Sequence, residues 1–143
     1  MLEVYTDGSS FNSNTDLPTI GGWAAVYVKD GKVIKCRTKK CKKGTSLRME
    51  LEAIATVLED TKDRDITIYT DYYTVVEAFE KGYIEEWKKR KWKRLSRGKL
   101  QYSSCWKRIY DATRDRNVTF KYGAKMKYHR KADQLSRIAA KAT

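Results

Sequence analysis

One proline, Pro18, and one histidine, His129, are all that 143 residues contain of either type. The three cysteines, Cys36, Cys41 and Cys105, are widely spaced and form no C-x-x-C pair. With so few nitrogen and sulfur ligands, a zinc site is not expected. An odd number of scattered thiols suits reduced, structural cysteines, so the expected location is cytoplasmic. No apolar run is long enough to span a bilayer. The chain opens on a strand-like segment, not a secretory leader. No segment reads as a basic amphipathic helix with a clean apolar face, which argues against a membrane surface as partner. Internal repeats, low-complexity tracts and linkers are also missing, and nothing signals an oligomer, so a monomer is expected.

Acid is the last scarcity. Eighteen acidic residues stand against thirty-one basic ones, for a net charge of +13 and a pI near 9.7. A domain this basic meets a polyanion, and nucleic acid fits best. The length suits one domain, residues 1–143, with a core that needs no disulfide or metal staple.

Periodicity sketches the elements. Leu2 to Asp7 alternates apolar and polar residues as a strand does, and a polar loop is expected from Gly8 to Ile20. Gly21-Gly22 opens a second strand, Trp23 to Val28. Asp30-Gly31 is a two-residue hairpin signal leading into a third strand over 32–38. Thr45 or Ser46 can cap a helix whose stripe is Leu51, Ile54, Ala55 and Leu58. Ile66 and Ile68 mark a fourth strand ending at Thr70-Asp71, and a helix follows over 72–80. Trp106, Ile109, Tyr110 and Thr113 mark another helix. Val118, Phe120 and Tyr122 alternate as a fifth strand. Leu135, Ile138, Ala139 and Ala142 stripe the closing helix. The expected order is βββαβααβα. Helical crossovers before the fourth and fifth strands imply parallel pairings. The fold class is therefore α/β, a five-stranded mixed β-sheet flanked by helices.

Most acids sit among lysines, but four do not. Asp7 and Asp71 end the first and fourth strands, whose carboxyl ends lie side by side in such a sheet, where sites are built. Glu50 is placed in the first turn of its helix, bordering the core. Asp133 is placed early in the last helix. Carboxylates gathered at one point repel each other unless cations neutralise them. Hard oxygen ligands suit Mg²⁺, with Mn²⁺ as a substitute. Two such ions about 3.5–4 Å apart can clamp a phosphodiester. The alternative is that all four are helix-cap and surface acids.

The words around the four acids bear on that choice. Tyr5-Thr6-Asp7-Gly8-Ser9, Arg48-Met49-Glu50-Leu51, Tyr69-Thr70-Asp71 and Ala132-Asp133-Gln134-Leu135-Ser136-Arg137 resemble, in order, the four catalytic blocks of the type 1 ribonuclease H family. Gly21-Gly22 also fits that family's second strand, and the resemblance covers nearly the whole chain. It implies a ribonuclease H-like fold and hydrolysis of the RNA strand of an RNA/DNA hybrid, leaving a 5′-phosphate and a 3′-hydroxyl. It also implies roles: Asp7 bridging two metal ions, Asp133 holding the ion that activates water, and Glu50 and Asp71 holding the ion at the leaving oxygen. No protein nucleophile is then needed.

Residues 84–101 form a basic handle. Trp87, Lys88, Lys89, Arg90, Lys91, Trp92, Lys93 and Arg94, with Arg97 and Lys99 beyond, resemble the basic protrusion of some family members. The cations can bind phosphates. Trp87 and Trp92 either lie against sugars or bases or pack the handle onto the domain, whereas Trp106 reads as core. A second basic run, 39–43, either flanks the hybrid or is a loop.

The chain departs from the family pattern in three places. Many members carry a histidine on a mobile loop, but here the loop is short. His129 stands four residues before Asp133, on one helix face, either assisting proton traffic or product release or as an ordinary polar residue. Where the family reads RNA through short polar side chains, this chain has Ser46, Leu47, Tyr72 and Tyr73. Ser46 can still bond a 2′-hydroxyl and Leu47 cannot, which bears on strand selectivity. The loop 9–20 is longer than usual, and Asn12 and Asn14 are candidates there for backbone contacts. Competing readings are the same catalyst with another duplex preference, such as double-stranded RNA, a non-catalytic nucleic-acid-binding domain, and a domain of a reverse transcriptase. A chain starting at its first strand points to a free-standing protein.

Overall fold

The structure is a computed structural model that describes residues 1–11, 20–41, 44–93, 101–123 and 126–141. The elements are β1 (Leu2–Phe11), β2 (Ile20–Lys29), β3 (Lys32–Cys41), α1 (Ser46–Asp60), β4 (Asp65–Thr70), α2 (Tyr73–Glu80), α3 (Tyr83–Lys89), α4 (Ser103–Thr113), β5 (Asn117–Tyr122) and α5 (Met126–Lys141). The sheet runs β3-β2-β1-β4-β5. β1 pairs parallel with β4, and β4 with β5, while β1–β2 and β2–β3 are antiparallel. This is the mixed, helix-flanked sheet expected from the sequence.

Three boundaries differ from the periodicity reading. β1 continues through Phe11, because Gly8, Ser9 and Ser10 keep pairing with β2 although none of them favours strands. β3 runs on to Cys41 and absorbs Lys39 and Lys40 into an exposed edge strand, where lysines discourage pairing with other chains. The handle contains an additional helix, α3. It is seven residues long and buries only Ile84, too little to show a stripe. Its acids at the start and lysines at the end suit the helix dipole.

The β2–β3 turn places Asp30 and Gly31 at φ 53° and 75°, the left-handed geometry that a tight hairpin demands. Thr45 caps α1, its hydroxyl accepting from the Arg48 amide at 3.2 Å. The α1 stripe is buried as expected, and Ala53 and Val57 broaden it. With α4, this helix covers the main core, which contains Leu2, Val4, Ile66, Ile68 and Trp106.

The other face carries α5 over a smaller cluster of Tyr5, Val26, Val28, Tyr128 and Ala132. Here the expected stripe fails in part: Ile138 is 57% exposed, and Ala142 lies outside the described residues. The buried positions are Tyr128, Ala132, Ser136, Ala139 and Ala140. Close approach explains the change. A Cβ on Gly22 would lie 2.4 Å from the Ala140 nitrogen and 2.8 Å from the Ser136 carbonyl oxygen, so small residues line both sides of the seam. Gly8 plays the same part opposite α1, where a Cβ would lie 2.6 Å from the Glu50 nitrogen. The two glycines thus set the helices bearing Asp133 and Glu50 directly against the sheet.

Gly22→Ala is expected to force α5 outward and to cost about 1–3 kcal/mol, read as a lower urea midpoint. An unchanged midpoint would show that the seam has slack.

Candidate active site

The site grows from one repeated word. Tyr5-Thr6-Asp7 and Tyr69-Thr70-Asp71 lie on neighbouring parallel strands, with Tyr5 and Tyr69 the last paired residues. Their rings stack at 4.5 Å and 5°. Thr6 and Thr70 then both donate to Glu50 Oε1, at 2.5 and 2.8 Å. Beyond the last pair the strands part, leaving Asp7 and Asp71 at the opening.

Glu50 lies in the second turn of α1, one turn deeper than the sequence suggested, and is fully buried. Its Oε2 is also buried and has no hydrogen-bond partner. Burial pushes its pKa up to about 7, against the pull of the two threonines, and Asp71 pushes the same way. Asp7 is 5% exposed and accepts from the Gly8 amide at 2.9 Å. Its pKa is pushed up to about 9, first by burial, then by the Glu50 charge, a side-chain hydrogen bond with Asp133, and the charges of Asp71 and Asp133. All four acids named from the sequence therefore act on one another.

The outer two are held aside. Asp71 is exposed, and its Oδ1 lies 3.4 Å from His129 Nδ1. Asp133 is half exposed and accepts from Arg137 Nε at 3.2 Å. It sits in the second turn of α5, not at the helix start, because that helix already begins at Met126. Among the described residues no three His, Cys, Asp or Glu side chains are already arranged to hold a metal ion. Mutual repulsion accounts for this, since the exposed pair turns to Arg137 and His129 for compensation. The site nevertheless suits a hard cation: it has four oxygen ligands, a buried carboxylate oxygen without a partner, and a neighbour that burial and repulsion drive to take up a proton.

His129 is mostly buried, edge-on to Tyr5 at 5.6 Å, and its Nε2 has no hydrogen-bond partner. Sequence reading gave Thr6, Thr70 and Ser136 no role. The twofold Tyr-Thr-Asp word was the available signal for the threonines. Ser136 is buried where α5 meets β1, 2.7 Å from Ser9 Oγ and 3.5 Å from Asp7 Oδ2.

The nucleic-acid candidates divide. Ser46 Oγ lies 3.2 Å from Ser10 Oγ, at the start of α1. Tyr73 is 49% exposed. Trp87 and Trp92 turn inward, against Trp106 at 4.9 Å and Tyr110 at 5.8 Å, so their rings anchor the handle to α4. Lys88 sits over the Tyr110 ring and within 3.2 Å of its hydroxyl. Lys89 and Arg90 pair loosely with Glu86, at 3.7 and 3.8 Å. Lys91 and Lys93 are exposed. Asn12, Asn14 and handle residues 94–100 lie outside the described residues.

Comparison with known proteins places this geometry. The RNase H family profile matches residues 1–141. The chain is similar to the ribonuclease H of Chlorobium luteolum, at 29% identity over 96% of this chain and 94% of that protein. It is 30% identical to the ribonuclease H of Thermoanaerobacter sp. strain X514, over 95% of this chain and 87% of that one. Among solved structures, a foamy viral protease-reverse transcriptase in complex with RNA/DNA hybrid superposes with a TM-score of 0.85 at 17% identity, covering 99% of this chain and 20% of that one. LC11-RNase H1 in complex with RNA/DNA hybrid superposes with a TM-score of 0.73 at 19% identity, covering 98% and 96%. At these identities the structural likeness speaks for the fold.

The raised pKa values carry a sign. Folded Asp7 binds its proton more tightly than the unfolded chain does, so its contribution to stability is present at low pH and is lost as pH rises from the ordinary carboxylate range towards 9. In EDTA, Tm is expected to fall with rising pH more steeply than in Asp7→Asn, and divalent cations should reverse the fall. Parallel Tm–pH curves for the two proteins would disprove the coupling.

Proposed function

The chain belongs to the ribonuclease H family, and we propose that it hydrolyses the RNA strand of RNA/DNA hybrids using two divalent metal ions held by Asp7, Glu50, Asp71 and Asp133. One observation carries the metal assignment: Glu50 Oε2 is buried without a partner beside Asp7, a carboxylate that burial and its acidic neighbours destabilise. Buried anions without compensation cost several kcal/mol, roughly, which cation binding would recover. The two solved relatives that hold an RNA/DNA hybrid support the substrate class.

In this reading Asp7 bridges both ions, because it alone interacts with all three other acids. Glu50 and Asp71 hold one ion, and Asp133 holds the other. Such ions supply Lewis acidity, an activated water and charge stabilisation at the leaving oxygen. The protein's own part is positioning. Thr6 and Thr70 fix Glu50 Oε1, which leaves Oε2 available for a ligand. Arg137 and His129 hold Asp133 and Asp71 until cations draw them in. No side chain needs to attack phosphorus, and the products are a 5′-phosphate and a 3′-hydroxyl. Mg²⁺ is the expected ion, with Mn²⁺ as a substitute. His129, whose Nε2 is free, takes proton traffic or product release.

The handle holds the duplex through Lys89, Arg90, Lys91 and Lys93, while Trp87 and Trp92 keep it docked on α4. A second reading, with double-stranded RNA as the preferred duplex, draws on the exposed Tyr73 and on Leu47 at positions where the family has short polar side chains.

Cleavage of a matched hybrid should require Mg²⁺ or Mn²⁺ and should vanish in EDTA and in Asp7→Asn or Glu50→Gln. Cleavage that survives either treatment would refute the mechanism. Comparing hybrid, double-stranded RNA and double-stranded DNA identifies the preferred duplex. Replacing Lys89, Arg90, Lys91 and Lys93 by alanine should weaken hybrid binding and flatten its salt dependence by about 0.9 log units per lost phosphate contact. An unchanged slope would remove the handle from the substrate path. Equal turnover in His129→Ala would end the case for His129.

A further inference from the structure

Two tyrosines at the mouth of the acidic cluster are left half bare. Tyr73 opens α2 two residues after Asp71, so their backbones lie within about 7 Å. Tyr122 closes β5 in register with Thr70, the residue immediately before Asp71. Neighbouring strands stand about 4.8 Å apart, so both tyrosines flank Asp71 closely, one from each side. Their rings meet edge to face, with centroids 5.6 Å apart at 83°. The contact buries neither ring: Tyr73 is 49% exposed and Tyr122 58%. β5 is an edge strand, so no further strand covers Tyr122.

We propose that Tyr73 and Tyr122 form a single aromatic surface that packs against a nucleoside of the strand being cut, about two nucleotides from the scissile phosphate. This rests on the nuclease reading given above and adds a contact to it. The distance follows from the rise along a nucleic-acid strand, about 3.4 Å per nucleotide, set against the separation from Asp71. Exposed aromatic faces take up bases and sugars with little regard to sequence, because every nucleoside offers an apolar face. A hybrid presents its riboses in a wide, shallow minor groove, so the rings can reach sugar without opening the duplex. Each phenol can also exchange a hydrogen bond with a 2′-hydroxyl, a group that DNA lacks. The rings brace one another, so little side-chain freedom is left to lose on binding. Tyr72, between Asp71 and Tyr73, is half-buried and turned towards Ser46 and Glu50, and is not part of this surface.

The test is steady-state cleavage of one defined hybrid by the whole protein carrying Tyr73→Leu, Tyr122→Leu, Tyr73→Phe or Tyr122→Phe, with Tm measured for each. Each leucine variant should lose at least about five-fold in kcat/KM, mainly through KM, at parental Tm, and each phenylalanine variant should recover most of it. Parental kcat/KM in both leucine variants would overturn the proposal. So would a loss that phenylalanine fails to restore, because the rings would then not be the contact. So would a loss matched by a fall in Tm, which would mark the pair as packing alone. A parent protein that leaves the hybrid intact in both Mg²⁺ and Mn²⁺ would instead overturn the nuclease reading itself. Placing 2-aminopurine riboside two nucleotides from the cleaved bond in the RNA gives an independent readout. Its fluorescence should change on binding the Asp7→Asn protein and should change less when Tyr122→Leu is added. An equal change in both would count against the surface.

Discussion

Repulsion among carboxylates is the constraint around which this molecule is arranged. Four acids brought to one end of a sheet would scatter unless the backbone held them. The backbone does so from three directions: two strand ends, a helix pressed onto β1 through Gly8, and a helix pressed onto β2 through Gly22. The compensation is uneven. Glu50 has two threonine donors, and Asp71 and Asp133 have a histidine and an arginine at the rim. Asp7, at the centre, has one backbone amide and a marginal serine contact. The strongest unmet demand for positive charge thus falls on the residue common to every pair.

That demand is met by the geometry of a repeated tripeptide. Strand alternation puts Thr6 and Thr70 on the face towards α1, and Tyr5 and Tyr69 on the face towards α5. The stacked tyrosines hold β1 and β4 together up to the last shared position, and the aspartates begin where pairing stops. Tyr5 also meets Tyr128 and His129, so the ring stack continues into α5 and ties Asp133's helix to the strands. At the opposite boundary, Tyr102 bonds the Thr45 cap at 2.6 Å, linking the end of the handle to the helix that carries Glu50.

Much of this was legible in the sequence, and the failures share one cause. Strands with apolar alternation, the Asp30-Gly31 turn, the α1 stripe and the four acids all declare themselves locally. What depends on a partner does not. β1 extends past Asp7 because β2 is there to pair with, although Gly8-Ser9-Ser10 has no strand preference of its own. The closing helix seemed to face inward with Ile138, but the seam against Gly22 admits only small residues, so Ala132, Ser136 and Ala140 take the inside and Ile138 the outside. Helix α3 went unseen because seven residues with one buried side chain make no pattern. Trp87 and Trp92 could be read as substrate platforms or as anchors, and only the positions of Trp106 and Tyr110 decide for packing. The role of Thr6 and Thr70 was hidden for the same reason, since it exists only once Glu50 is delivered from another element.

The α5 seam bears on how this protein could be engineered. Small-residue contacts bring backbone against backbone and leave no room for the enlargement that ordinarily stabilises a core. Conventional cavity filling along Ala132, Ser136 and Ala140 would lever one ligand-bearing helix away from the other three acids. Gains in thermal tolerance are better sought on the α1–α4 side, where Ile54, Leu58 and Ile109 can be repacked without moving a metal ligand.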